Sequence, residues 1–171
     1  LAWAMCEYWE KEERNKLLLM PRGTFKTTIY SIGGSIWEIT RQKDIRILLT
    51  NAILDNAKAI LKGIKDQFLF NEKFRYLYPE LCPDKDNKSA IRDLGTQEEL
   101  RVPCQKPGIR EATIEVGAVD QALVSRHYEM HIGDDLVNHI NSATKEQINK
   151  VDSFIKASYG LLEPNVGKCY L

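Results

Sequence analysis

Residues 17–28 read Leu-Leu-Leu-Met-Pro-Arg-Gly-Thr-Phe-Lys-Thr-Thr, and this stretch is the most informative part of the chain. A short apolar strand is predicted to run straight into a tight turn that carries a glycine, a lysine and hydroxyl side chains. Backbone N–H groups in such a turn can converge on an anion, and the positive end of the helix dipole that follows points at the same place. The stretch therefore predicts a phosphate-binding loop between a strand and a helix.

The loop departs from the usual G-x-x-x-x-G-K-[ST] sequence of nucleotide-binding loops. The two glycines of that pattern would fall at Met20 and Phe25, whereas Gly23, Lys26 and Thr27 keep the expected chemistry. In such a loop the lysine reaches the outer phosphates and the hydroxyl after it holds Mg²⁺. Taken alone, the turn is equally well an ordinary strand-to-helix connection, so a second site has to decide between the two interpretations.

A pair of carboxylates, Asp134 and Asp135, follows a strand-like run at residues 127–133. Apolar residues alternate there with polar residues and a glycine, which predicts a strand with one well-buried face. For a magnesium nucleotide, the first carboxylate would hold the metal and the second would orient or deprotonate the attacking water. An Asp-Asp pair at a strand end is more often a solvated turn when it stands alone. Joined to a phosphate loop, it becomes a catalytic candidate.

Strands and helices alternate along the chain. The patterns predict strands over 17–19, 45–50, 100–103, 112–117, 127–133 and from 168 onward, and helices over 1–15, 27–40, 53–70 and 142–158. Residues 79–95 hold two prolines and few large apolar residues, so we expect an exposed connection. The alternation implies parallel crossovers and an α/β fold, with an open, mostly parallel sheet and helices on both faces. Both candidate sites fall at the carboxyl ends of strands, where such sheets bind ligands.

Composition limits the functional classes. The length of 171 residues suits one domain with a sizeable core, and equal numbers of basic and acidic residues, 24 each, give no electrostatic argument for nucleic acid. Four cysteines without C-x-x-C spacing disfavour a zinc site and suit reduced thiols. No apolar run approaches membrane-spanning length, and no signal peptide is evident. The chain begins without Met and ends in an incipient strand, so we expect a truncated single domain over residues 1–171.

Together, these motifs resemble the ATPase domain of the large terminase subunit of tailed phages, the motor that pumps DNA into empty procapsids. The resemblance rests on residues 19–28, on the predicted strand 45–50 with its helix, and on Ser125-Arg126-His127-Tyr128 ahead of Asp134-Asp135-Leu136-Val137-Asn138. A phosphate loop of the P-R-G-x-x-K-[ST] type is similar to the variant of this family. The resemblance implies a P-loop NTPase fold of the ASCE-like type.

The resemblance also implies roles for individual residues. Those implied to bind nucleotide are Pro21, Arg22, Gly23, Thr24, Phe25, Lys26, Thr27 and Thr28. Lys26 would contact the β- and γ-phosphates of ATP, and Arg22 would sense or stabilise the γ-phosphate. Thr27 and Asp134 would bind Mg²⁺. Asp135 stands where the family usually has a catalytic glutamate, so the implied catalytic residues are Asp135, Arg22 and Lys26.

By the same resemblance, the chain would couple ATP hydrolysis to translocation of double-stranded viral DNA, in the host cytoplasm and transiently at the procapsid portal. Its implied partners are the portal protein, the small terminase subunit and further copies in a ring, and the nuclease domain of the parent protein would lie outside this chain. Two alternatives remain open: a helicase-like P-loop ATPase, and a nucleotide- or DNA-binding scaffold with a degenerate site. Tyr8, Trp9 and Trp37 could stack on adenine, but their helical spacing is more typical of a core, so no adenine pocket is assigned.

Overall fold

The computed structural model describes residues 2–11, 13–21, 23–121 and 126–171 of the chain. The strands in these ranges are β1 (Asn15–Lys16), β2 (Ile47–Asn51), β3 (Glu99–Leu100), β4 (Ile114–Ala118), β5 (Met130–Asp134) and β6 (Lys168–Tyr170). The α-helices are α1 (Ala2–Glu10), α2 (Gly34–Arg41), α3 (Leu54–Phe70), α4 (Glu72–Leu77), α5 (Lys88–Asp93) and α6 (Lys145–Tyr159). A π-helix, Thr27–Gly33, leads directly into α2, and a 3₁₀ turn spans Pro79–Leu81.

The six strands form one sheet in the order β1-β6-β5-β2-β4-β3. Every neighbouring pair is parallel except β3 and β4, which are antiparallel. The register places Asn51 beside both Ala118 and Asp134, so β2, β4 and β5 end at the same level of the sheet. The predicted α/β fold with an open, mostly parallel sheet is confirmed.

Helices cover both faces of this sheet. Side chains alternate along a strand, so neighbouring residues of β5 point to opposite faces. Met130 and Ile132 belong to the main core, which also contains buried residues of α1, α3 and the π-helix. His131 instead contacts Ser158 of α6. The predicted covering of both faces therefore holds.

The first strand lies earlier than predicted. The expected strand over residues 17–19 is replaced by β1 at Asn15–Lys16, and Leu17 and Leu19 are 62% and 81% exposed. Lys16 is buried in their place, because its Nζ donates to backbone carbonyls at the end of α1, including that of Lys11 at 2.6 Å. A buried lysine with such partners is tolerated next to the negative end of a helix dipole. Pairing continues past β1, since the Leu18 N–H donates to the Leu171 carbonyl at 2.8 Å.

Residues 79–95 are mostly exposed, as predicted. They contain the 3₁₀ turn and α5, and Leu81 and Leu94 anchor them in the main core. The first helix is shorter than predicted, since α1 ends at Glu10.

The remaining predicted strands and helices occur within three residues of their expected bounds. The four cysteines are free thiols. Among the described residues, no helix combines the length and the apolar character needed to cross a bilayer.

Candidate functional site

The loop predicted to bind phosphate follows β1 and turns sharply into the π-helix. Gly23 and Phe25 have positive φ angles of 81° and 59°. Glycine adopts this region freely, but the Cβ of any other L-residue makes it cost about 1–2 kcal/mol. The Ile29 N–H donates to the Phe25 carbonyl at 2.9 Å, which marks the first turn of the helix. The chain therefore holds a strained backbone at the point where the helix begins.

The start of this helix faces a cleft. The first N–H groups of any helix have no partners within it, and the dipole adds partial positive charge at the same end. Lys26, Thr27 and Thr28 all line the cleft at this start. This arrangement suits an anion such as a phosphate.

The paired carboxylates contact the loop beside this cleft, which Asp135 lines and Asp134 does not. Thr27 Oγ1 lies 3.2 and 3.0 Å from Oδ1 and Oδ2 of Asp134. Lys26 Nζ forms an ion pair with Asp135 and lies 4.0 Å from Asp134 Oδ1. Lys26 and Asp135 are 109 residues apart in the sequence. The structure thus brings the two candidate sites together.

The two aspartates differ in environment. The Asp134 side chain is 6% exposed and the Asp135 side chain 63% exposed. Burial raises the pKa of the Asp134 carboxyl, while the charge of Lys26 and the hydrogen bond from Thr27 oppose that shift. A buried carboxylate with a single lysine 4.0 Å away favours a further cation. Asp135, in contrast, can reach solvent and a water molecule in the cleft.

Asn51 is a site residue that the sequence analysis missed. It is buried at the carboxyl end of β2, and its Nδ2 donates to the Asp134 carbonyl at 2.7 Å. Its Oδ1 accepts from the Ile53 N–H at 3.0 Å and from Asn56 Nδ2 at 3.3 Å. Asn51 thereby holds the backbone just before Asp135, whose φ is +47°. A polar residue that ends an apolar strand at this edge of the sheet was the available signal.

The cleft has a volume of about 820 Å³, within the range of small-molecule sites. Of the sequence-predicted residues, those lining it are Pro21, Gly23, Thr24, Phe25, Lys26, Thr27, Thr28 and Asp135. Asp134 lines a smaller adjoining cavity of about 190 Å³, which shares Lys26 and Asp135 with the cleft. Arg22, and Ser125 of the family resemblance, lie outside the described residues.

The oxygen atoms at this site fit a magnesium ion. Mg²⁺ binds hard oxygen ligands, usually one or two carboxylates together with phosphate oxygens and water. Thr27 and Asp134 supply a hydroxyl and a buried carboxylate in mutual contact. The described part of the chain holds no group of three or more His, Cys, Asp or Glu side chains able to bind a metal. Phosphate oxygens and water would therefore complete the coordination.

The polar residues that interrupt β5 are satisfied inside the protein. His131 lies 2.7 Å from Thr50 Oγ1 and 3.0 Å from Ser158 Oγ, and complete burial lowers its pKa to about 4. Just before β5, Glu129 accepts from the backbone N–H and the side chain of Arg46 at 2.7 and 3.0 Å. These residues connect the strands and α6 rather than the cleft.

No model of a known protein family matches the chain, and no curated protein matches its sequence.

Proposed function

We propose that this chain is the Mg²⁺-dependent ATPase domain of a viral DNA-packaging terminase large subunit, which couples ATP hydrolysis to translocation of double-stranded DNA into procapsids. The observation that supports ATPase activity is the contact of Thr27 with Asp134 and of Lys26 with Asp135, beside a cleft that Lys26, Thr27 and Asp135 line. The assignment to DNA packaging, with a portal protein and a small terminase subunit as partners, rests on the sequence resemblance.

Strand order supports a P-loop NTPase of the ASCE-like type. The strand before the loop, β1, and the strand before the carboxylates, β5, are separated by β6 alone. Such an insertion is the arrangement expected of ASCE-like proteins. The axes of β1 and β5 are therefore about 10 Å apart, since neighbouring strands lie about 4.8 Å apart. Lys26 and Thr27, at the end of the loop that follows β1, span this distance and contact the two aspartates at the end of β5.

Lys26 would exchange one negative partner for another when ATP binds. Its ammonium group pairs with Asp135 in this structure, and phosphate oxygens carry more charge than one carboxylate. With Lys26 and the helix start engaged by phosphate, the Asp135 carboxylate is released toward the cleft. Binding of the substrate and release of the general base are thereby one event.

Asp135 then orients the attacking water and accepts its proton. Its exposure of 63% leaves the carboxylate accessible to water, and the Asn51 contact fixes the backbone that carries it. Thr27 and Asp134 would hold Mg²⁺, which neutralises the charge of the transferring phosphate. Positioning and electrostatic stabilisation, the main sources of catalysis in phosphoryl transfer, are both available.

Hydrolysis of Mg²⁺-ATP by the chain and two variants tests the ATPase assignment. We expect Lys26→Ala and Asp134→Ala each to lower kcat/KM at least about 100-fold, the usual loss when one charge-stabilising group is removed. Lys62→Ala is the matched control, because that lysine is 79% exposed on α3 and pairs only with the next turn of its helix, at Asp66. A parent chain that binds ATP but is as inert in hydrolysis as both site variants would instead favour the scaffold alternative.

Duplex DNA separates the packaging motor from the helicase-like alternative. We expect added double-stranded DNA to raise the rate of ATP hydrolysis while a labelled duplex stays paired. Strand separation that depends on ATP and is lost in Lys26→Ala would favour the helicase instead.

A further inference from the structure

The backbone around Asp135 is held from both sides by asparagine side chains. Asn51 Nδ2 donates to the Asp134 carbonyl at 2.7 Å. Asn141 Nδ2 donates to the Leu136 carbonyl at 2.8 Å. These carbonyls belong to the residues immediately before and after Asp135, and the two asparagines come from different parts of the fold, the end of β2 and the loop between β5 and α6. The backbone that carries Asp135 is therefore fixed at both of its neighbours.

Asn141 is itself held by a reciprocal contact with Asn138. The Asn138 N–H donates to Asn141 Oδ1 at 2.8 Å, and the Asn141 N–H donates to Asn138 Oδ1 at 3.0 Å. Ser142 Oγ donates to the Asn138 carbonyl at 2.6 Å, so the end of the loop is bound to the same residue. The Asn141 side chain therefore connects an internally bonded loop to the residue that follows Asp135.

Asp135 differs from its neighbours in exposure and in backbone conformation. Asp134 and Leu136 are buried, and Leu136 belongs to a small core that includes residues of α6. The Asp135 side chain is exposed, and its φ of +47° lies in the left-handed region that L-residues usually avoid. Among the described residues, only Lys26 is hydrogen-bonded to its carboxylate. Side-chain packing therefore does not position this carboxylate, and the backbone has to do so.

We propose that Asn141 is a positioning residue for Asp135 in ATP hydrolysis. The inference rests on the proposed function, in which phosphate binding by Lys26 releases the Asp135 carboxylate toward the attacking water. On a fixed backbone, the released carboxylate can move only about its two side-chain torsions. Asn141, together with Asn51, keeps that backbone in the left-handed conformation in which Asp135 lines the cleft. Such control matters because a misplacement of about 1 Å can lower a rate about 100-fold.

The kcat and KM of Mg²⁺-ATP hydrolysis by two Asn141 variants test this inference. Asn141→Asp keeps the oxygen that accepts from Asn138 but loses the donor to the Leu136 carbonyl, whereas Asn141→Ala loses both groups. We expect each variant to lower kcat about tenfold and to leave KM unchanged, because the phosphate loop is untouched. Asn149→Asp is the matched control, since that asparagine is exposed on α6 and its side chain makes no hydrogen bond to another described residue.

A double-mutant cycle with Asp135→Asn shows whether Asn141 acts through Asp135. If the asparagine acts by positioning that carboxylate, Asn141→Ala should cause no further loss of kcat in the Asp135→Asn background. A merely structural role would lower kcat by the same factor in both backgrounds. Because Asn141 is only half-buried and Asn141→Asp keeps the contact within the loop, we expect that variant to retain the fold, which urea unfolding measures.

The outcomes separate this inference from the proposed function. The positioning role is wrong if both Asn141 variants keep the parent kcat, if only the charged Asn141→Asp loses activity, or if the loss is equal in the two backgrounds. In each of these cases, a large loss in Lys26→Ala still supports the ATPase proposal. If the parent chain binds ATP without hydrolysing it, the proposed function fails and the positioning role fails with it.

Discussion

Buried charged side chains have different partners at the two ends of the central strands. At the amino ends, Arg46 lies among three carboxylates, with Glu163 at 2.8 Å, Glu111 at 3.7 Å and Glu129 in a bidentate contact. The hydrogen bonds that Arg46 donates to Glu129 raise the pKa of its guanidinium. At the carboxyl ends, Asp134 is buried with one hydroxyl contact and a lysine 4.0 Å away.

Backbone strain also differs between the two ends. Phe25 and Asp135, two of the three described non-glycine residues with positive φ, lie at the carboxyl end beside the cleft. The amino end is therefore built for stability, because its single guanidinium is held by three carboxylates. The carboxyl end retains strain and incompletely compensated charge, which a bound ligand can relieve.

The largest effect is expected at Asp134, where a substitution should lower activity but raise stability. Asp134→Asn keeps the shape and the contact with Thr27 but removes the charge, so we expect kcat/KM for Mg²⁺-ATP to fall about 100- to 1000-fold. Because burial raises the pKa of this carboxyl, its ionised form is disfavoured in the fold, and the free energy of unfolding at pH 7 should rise. Hydrolysis assays and urea unfolding measure the two effects. A variant that loses both activity and stability would make this end a structural site like the other.

The next largest effect is expected at the amino end, where a substitution should lower stability but leave nucleotide affinity unchanged. Arg46→Ala leaves Glu129, Glu163 and Glu111 without their shared partner, so we expect the free energy of unfolding to fall by about 3 kcal/mol. Nucleotide affinity of the folded protein should stay the same. Urea unfolding provides the measurement, with Lys62→Ala as the exposed control. A loss no larger than that of the control would remove the contrast between the two ends.

The free energy of unfolding should depend on pH through His131, which lies between the two ends. Its pKa of about 4 lies below the ordinary value of 6.5, so the unfolded chain binds more protons between these values and stability falls as pH drops through this window. The loss should be about 2 kcal/mol at pH 5 relative to pH 7. Unfolding of the parent chain and of His131→Gln across this range measures it. Identical slopes for both proteins would show that another group titrates there.

The smallest effect concerns strain in the loop. Phe25→Gly removes the Cβ at a φ of +59° and should raise the free energy of unfolding by about 0.5–1 kcal/mol, after the entropy cost of glycine. Phe25→Ala is the matched control, because it removes the exposed ring but keeps the Cβ, and it should give no gain. A gain of equal size in both variants would attribute the effect to the exposed ring rather than to strain.

Much of the site was predictable because its chemistry is local. Gly23, Lys26 and Thr27 stand within five positions of one another, and Asp134 and Asp135 are adjacent, so turn chemistry and strand periodicity were enough to find them. Asn51 was missed because nothing near it in sequence reveals that β2 pairs with β5.

The first strand was misplaced for a related reason. Apolar character alone favoured Leu17 and Leu19, but burial at this edge depends on the carbonyl groups at the end of α1, which accept from Lys16.

The sequence by itself determined the α/β class, the phosphate-type turn and the paired carboxylates, because periodicity and turn propensity act between close neighbours along the chain. The strand order, the burial of Asp134 and the pairing of Lys26 with Asp135 became apparent from the folded chain alone. Those features depend on contacts between residues far apart in the sequence, more than 100 positions apart for Lys26 and Thr27, and such contacts form only when the whole sheet assembles.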